Sequence, residues 1–292
     1  MNIQVVQALL DGVLMGGVYA LAALGLSLIF GVMKITNFAH GAMMTVGMYA
    51  VYYLSTALGI GPYLSLPIAV VVMFGIGFLM QRYLIHYIEN APAHNQLLLT
   101  LGIAYVLENV LLAVFSPNYL TLKVDSFQSA LKVGGLTFAP AKLIAFGVVI
   151  VVTALVYIML YRTRVGVHIR ASAQNDEGAR LMGINVRKTR AIAFGVGAVC
   201  TGIAGGLLTP MLSIYPTLGE TFQLKCFVIA VLGGMGSLWG ALVSGVLIGI
   251  VESITGYFLG GSWGEMMIYG VFVLILLVCP TGLFARRNRR ES

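Results

Sequence analysis

The chain has 292 residues, of which 59% are apolar and only 9% charged. Water-soluble domains carry about a quarter charged residues, so this composition excludes one and points to an all-α polytopic membrane protein. The net charge of +7 would suit nucleic acid, but the basic residues gather in one central loop and in the tail Arg286, Arg287, Arg289 and Arg290. That placement reports orientation in a bilayer and excludes nucleic acid as a partner.

The N-terminal run MNIQVVQALLDG has no basic leader and no small-residue cleavage site, so the first apolar stretch is expected to be retained as a span. Since about 20 apolar residues cross the hydrocarbon core, spans are expected near 5–31, 42–59, 64–84, 96–115 and 141–160. Four more follow near 191–211, 222–238, 239–259 and 264–283. The middle two of these meet at Gly233, Gly234 and Gly236 with few polar residues between them, so eight or nine spans are both open. All of this fits one transmembrane domain over 1–292, and small residues four apart predict a tight bundle: Gly12 and Gly16, Gly202 and Gly206, Gly236 and Gly240, Gly245 and Gly249, Gly256 and Gly260. No internal repeat is legible, and no pair of matching broken segments marks a binding site at mid-depth.

Two segments are long enough to lie outside the bilayer. The loop of about 161–190 carries Arg162, Arg164, Arg170, Arg180, Arg187, Lys188 and Arg190 against only Asp176 and Glu177, so it is expected on the cytoplasmic side with the tail. Counting crossings backwards puts the loop of about 116–140 and the N-terminus outside, and Arg82, His86 and His94 inside. Gly59 to Pro62 then forms a short external turn. Within the central loop Asn175 can cap a helix whose first turn holds Asp176 and Glu177 and whose end is marked by Gly183. Such a helix is expected to present Ala179, Leu181 and Met182 to a partner outside the bilayer.

Polar groups also interrupt the spans. In LIFGVMKITNFAHGAMMTVGMYA an apolar helix breaks at Lys34, Thr36, Asn37 and His40. Either the break is shielded by protein or lines a watery cavity, or it is an interfacial turn with Lys34 reaching for headgroups. Asp11, Glu108 (beside Asn109), Lys225 and Glu252 are ionisable residues inside spans and therefore candidates for function. Lys225 is a candidate partner for one of the carboxylates, because a lone buried charge is costly. Locking helices together and touching a substrate are both open to this group.

Catalysis is not expected. The phosphate-binding pattern needs a glycine before its lysine, whereas Arg187 precedes Lys188 and Thr189. Ser237 lacks a nucleophile elbow, no His-Glu-x-x-His occurs among His40, His86, His94 and His168, and Cys200, Cys226 and Cys279 stand in apolar runs without zinc spacing. No catalytic residue, cofactor or metal ligand is assigned.

The run GGVYALAALGLSLIFGVMKITNFAHG followed by MTVGMYA, the loop IRASAQNDEGARLMGINVRKTR and the later AVLGGMGSLWGALVSGVLIG together resemble the permease subunits of branched-chain amino-acid ABC importers, in order and spacing, over nearly the whole chain. The likeness is greatest to the shorter, LivH-type permease. It implies a bacterial inner-membrane subunit paired with a second permease as a heterodimer. Two cytoplasmic ATPase subunits would bind ATP and Mg, and a periplasmic solute-binding protein would deliver substrate. By the same resemblance, residues 175–183 form the coupling helix docked on an ATPase. Leucine, isoleucine and valine are the expected substrates, with urea, short amides or other amino acids as alternatives within the family. Thr36, Asn37, His40, Glu108, Asn109 and Glu252 are the expected pathway residues. A channel or secondary carrier that needs no ATPase is the reading from another class.

Overall fold

The structure, a computed structural model, describes residues 3–122, 131–133, 135–279 and 282–284, so the arginine-rich tail lies outside the described residues. The first half holds helices α1 (Ile3–Met33), α2 (His40–Leu58), α3 (Pro62–Tyr83), α4 (Ala93–Phe115) and α5 (Pro140–Arg162), with a single 3-10 turn at Ile85–Ile88. A small antiparallel hairpin, β1 (Leu131–Val133) and β2 (Leu136–Phe138), precedes α5 and sets Leu131 opposite Phe138. Then come two short helices, α6 (Arg164–Gln174) and α7 (Asp176–Leu181), followed by α8 (Val186–Leu208), α9 (Leu218–Leu232), α10 (Leu238–Leu259) and α11 (Gly261–Val278). Prolines at the start of α3 and α5 occupy the first turn, where the missing N–H costs nothing.

Seven helices among the described residues are long and apolar enough to cross a membrane: α1, α3, α4, α5, α8, α10 and α11. Of these, α1 and α8 are the core, with 78% and 83% of their most apolar window buried, whereas at most a third is buried in the other five. The outer five therefore turn an apolar face outward, as lipid or a partner requires. The two remaining helices of the expected nine, α2 and α9, fall short, and α9 with 15 residues covers about 22 Å of a core about 30 Å thick.

Contacts between loops define two ends. At one, Gln7 bonds the backbone of Thr137, Asp11 pairs with Lys142 at 2.7 Å, and Leu120 bridges Ile214. Asp11 thus belongs to an edge of the bundle and not to its middle, because α5 begins beside it. At the other end the Arg187 guanidinium donates to the Arg82 carbonyl at 3.3 Å, and Arg190 joins Glu89 to Asp176. The loops near 84–92 and 162–190 therefore share the arginine-rich end, and Leu120, the β1–β2 hairpin's Thr137 and the start of α5 share the opposite end with the first turns of α1.

The segment 34–39 is not an interfacial turn. After α1 ends at the arginine-rich end, the chain runs back along it, and α2 begins at His40 beside Ala22, well inside α1. The segment 209–217 does the same from the opposite end, so that α9 begins at Leu218 and sets Gly219 against Gly41. The packing repeats accordingly: α1 lies along α10 as α8 lies along α3, and α2 leans on α8 as α9 leans on α1. Because α1 and α8 run in opposite directions, the chain contains an inverted repeat with matching broken segments, which corrects the expectation that it has none.

Glycines set the closest approaches. A Cβ on Gly12 would stand 2.7 Å from the Cα of Ile250, and one on Gly249 would stand 2.4 Å from the Gly12 carbonyl oxygen. These, with Gly16 and Gly245, form the α1–α10 seam. Gly202 and Gly206 pack on α3 and α2, but Gly256 and Gly260 meet almost nothing, so that pair is not a packing motif.

Candidate functional site

The two broken helices meet at their first turns. Gly41 donates its N–H to Gln223 Oε1 at 2.7 Å, and Gln223 Nε2 donates to the Asn37 carbonyl at 3.3 Å. One glutamine of α9 thus satisfies donors and acceptors that the break in the first half leaves open, as buried backbone demands. The Asn37 side chain accepts from Ala39 N–H at 3.1 Å. His40 Nε2 lies 2.8 Å from the Ala22 carbonyl and 2.7 Å from Thr201 Oγ1, so it ties α2 to both core helices. Asn37 and His40 are wholly enclosed; in this conformation they hold the joint and line no open path. Thr36 is half-buried beside them.

A charged cluster gathers around Lys225, two residues beyond Gln223 on α9. Lys225 Nζ lies 2.7 Å from Glu252 and 3.0 Å from Glu265, with the Tyr19 ring centroid at 5.4 Å. Tyr19 also shares the Glu252 carboxylate. Lys225 is buried, and Glu265 has a half-exposed side chain. Glu108 has no part in this group: it is buried on α4, where Glu220 of α9 is a like-charged neighbour. Asn109, one residue on, is exposed and folds its amide back onto the Tyr105 carbonyl at 2.7 Å. Glu220 itself is exposed on α9, as are Leu224 and, just before the helix, Thr217. An exposed carboxylate at this depth cannot face hydrocarbon, so this face of α9 needs water or another protein chain against it.

Outside the bundle, α7 is built as its sequence demands. Asn175 Oδ1 accepts from Gly178 N–H at 3.0 Å, and Gly183 closes the helix with φ 79. Asp176 is held by the nearly buried Arg190, which also grips Glu89, while Glu177 points to solvent. Leu181 and Met182 are 88% and 83% exposed. Ala179 is buried, a correction with a simple cause: residues two apart on a helix lie on opposite sides, so Ala179 packs inward when Leu181 faces out. Replacing Asn175 with Ala removes the cap, and we expect about 1 kcal/mol of local destabilisation, read as faster amide exchange confined to residues 176–182.

Sequence reading missed Glu220, Gln223, Thr201, Glu265 and the Arg190 clamp. Glu265 follows Glu252 by one hairpin, and Arg190 opens an apolar helix; both were visible as charges but looked terminal. Among the described residues no group of three or more metal-binding side chains comes together.

Residues 8–276 match the family described as branched-chain amino acid transport system / permease component. A probable branched-chain amino acid transport permease protein LivH from Methanocaldococcus jannaschii is 33% identical over 285 residues, covering 95% of this chain and 90% of that protein. Two Escherichia coli K12 proteins of the high-affinity branched-chain amino acid transport system are also similar. Permease protein LivH is 29% identical, covering 96% of this chain and 95% of the relative, and permease protein LivM is 25% identical, covering 91% and 67%. The fold matches a chain of PsaBC from Streptococcus pneumoniae in complex with Fab, with a TM-score of 0.55 at 12% identity, covering 96% of this chain and 97% of that one. The chain therefore belongs to the branched-chain amino acid transport permease family.

Proposed function

We propose that this chain is the permease subunit of an ATP-binding cassette importer for leucine, isoleucine and valine, driven by ATPase subunits that dock on α7. The observation that carries the coupling role is the exposure of Leu181 and Met182 on a helix that is capped at one end and clamped at its base by Arg190. An apolar tip held this rigidly on a basic loop suits a groove on a second protein. Force applied there reaches α8 directly through Arg190 and the 84–92 loop through Glu89. The basic loop supports a cytoplasmic position for that end, and the N-terminus and the 116–140 loop would then be outside.

A second permease subunit fits the uncovered face of α9 around Glu220, and the two named permease proteins of the E. coli system support a heterodimer. Substrate would pass along this face, where Glu108, Glu220 and Thr36 offer polar groups to the amino-acid head and Phe38, Leu224 and Phe227 offer apolar surface to its side chain. A periplasmic binding protein would supply the substrate. The inverted pair of broken helices also favours an ATPase-independent carrier, because such carriers build their sites from matching breaks.

Leu181→Asp separates the two. Purified from cells that make its partners, the tagged chain should bring down two ATPases, and the variant should lose them while staying monodisperse. Leucine uptake into cells should fall to background. If the chain purifies alone and the variant carries leucine in liposomes without ATP, the importer reading fails and the carrier stands.

A further inference from the structure

Between α1, α5 and α10 runs an apolar groove of about 650 Å³, bordered by Phe146, Ile150, Ala154, Tyr157, Trp239 and Leu242. Toward the arginine-rich end it meets a second cavity of about 590 Å³, and Leu238 and Trp239 border both. The second cavity is polar, with Lys34, Arg170 and Gln174 on its wall and no carboxylate among its lining residues. Neither cation forms a salt bridge among the described residues: Lys34 Nζ lies 5.7 Å from the Phe30 ring centroid, and Arg170 stacks 4.8 Å over Tyr161. Trp239 meets Tyr157 edge-on where the two cavities join, with centroids 5.9 Å apart. Aromatic side chains of this kind gather where acyl chains meet headgroups.

We propose that the two cavities form one binding site for an anionic phospholipid, an acyl chain in the groove and the phosphate between Lys34 and Arg170. The groove opens on the outer surface of the bundle, where Ile150, Ile158 and Trp239 are exposed, and its lining is apolar apart from Thr153 and the polar atoms of Tyr157 and Trp239, with no charged group for an amino-acid zwitterion, so it is no branch of the substrate path. Two cations with no carboxylate partner among the described residues, at the mouth of an apolar groove, match a lipid that carries both charges and chains, and basic pockets between helices on the cytoplasmic side bind such headgroups. Arg170 belongs to α6, which leads into α7, so the bound lipid would brace the central loop against α1 and α10. The site needs only the membrane reading and stands apart from the transport role.

Native mass spectrometry of the purified full chain tests it, with phosphatidylglycerol and phosphatidylcholine of identical chains offered together. Two cations near a headgroup lead us to expect about ten-fold preference for phosphatidylglycerol. Lys34→Gln with Arg170→Gln should abolish the preference, weakening phosphatidylglycerol far more than phosphatidylcholine, whose quaternary ammonium already offsets its phosphate, while Ala154→Trp, which fills the groove, should reduce both. Arg170→Lys keeps the charge and should keep the preference, so a folding defect in one variant cannot mimic the result. Excess inorganic phosphate should not displace the lipid, since the chain contributes to binding. Equal retention of both lipids by the native chain, or a preference untouched by the double variant, would overturn the site. So would photo-crosslinking from position 150 in native membranes that captures a protein instead of a lipid.

Discussion

Lys225→Met should be the most damaging single charge change in this protein. The ammonium is buried against Glu252 at 2.7 Å and Glu265 at 3.0 Å, and removing it leaves two carboxylates facing each other with no cation. Breaking a buried pair from one side costs about 3–5 kcal/mol, well above the value of a surface pair. Either carboxylate alone should be more dispensable, because the lysine keeps the other. Glu265→Gln should be nearly silent, since its side chain is already half in solvent or against a partner. Thermal unfolding in detergent should therefore rank Lys225→Met far below Glu252→Gln, with Glu265→Gln close to the native chain. Combining Lys225→Met, Glu252→Gln and Glu265→Gln should restore much of the stability, as neutral isosteres need no counter-charge. A triple variant that folds yet moves no leucine would assign the cluster to transport; one that does both would make it a helix lock.

The positions of the long apolar helices were legible in the sequence because each apolar run is bounded by a turn or by charge, whereas α6, in the basic loop, was not expected. The depth at which a helix begins was not, since hydropathy counts residues and says nothing of level. At Lys34, Thr36 and Asn37 the break announced itself by polarity. Its counterpart, TPMLSIYPT at 209–217, is mostly apolar, so the expected span ran on to 211 and the next began only at 222. Pro210 and Pro216 were the available signal, as neither fits a helix interior. With one break polar and the other apolar, the inverted repeat had no sequence echo. The candidate site divided in the same way: the cap and stop of α7 follow from local chemistry, whereas the choice of Glu252 and Glu265 over Glu108 as partners of Lys225 depends on which helices α9 touches.

Gly41→Ala should show how closely the joint is set. A Cβ at Gly41 would lie 2.1 Å from the Gly219 carbonyl oxygen, and one at Gly219 would lie 2.3 Å from that of Gly41. Both obstacles are backbone, so no rotamer relieves them and the two half-helices must part. Parting them stretches the Gly41 to Gln223 bond at 2.7 Å and the Gln223 to Asn37 bond at 3.3 Å, which takes the Gln223 partner from the Gly41 N–H and leaves the Asn37 carbonyl with only the long bond from His40 N–H at 3.4 Å. Overpacking of this kind costs about 1–3 kcal/mol, and the lost buried bonds add about 1–3 kcal/mol. We expect a lower unfolding temperature for each single variant and little leucine uptake from either. Gly75→Ala is the control, because a Cβ there meets nothing within 4 Å and alanine favours the helix. The double variant separates local crowding from a shared displacement. If the same opening of α2 from α9 accommodates both methyls, Gly41→Ala with Gly219→Ala should cost less than the two singles added. Full additivity would mean that each glycine is fitted independently and that the halves do not move as units.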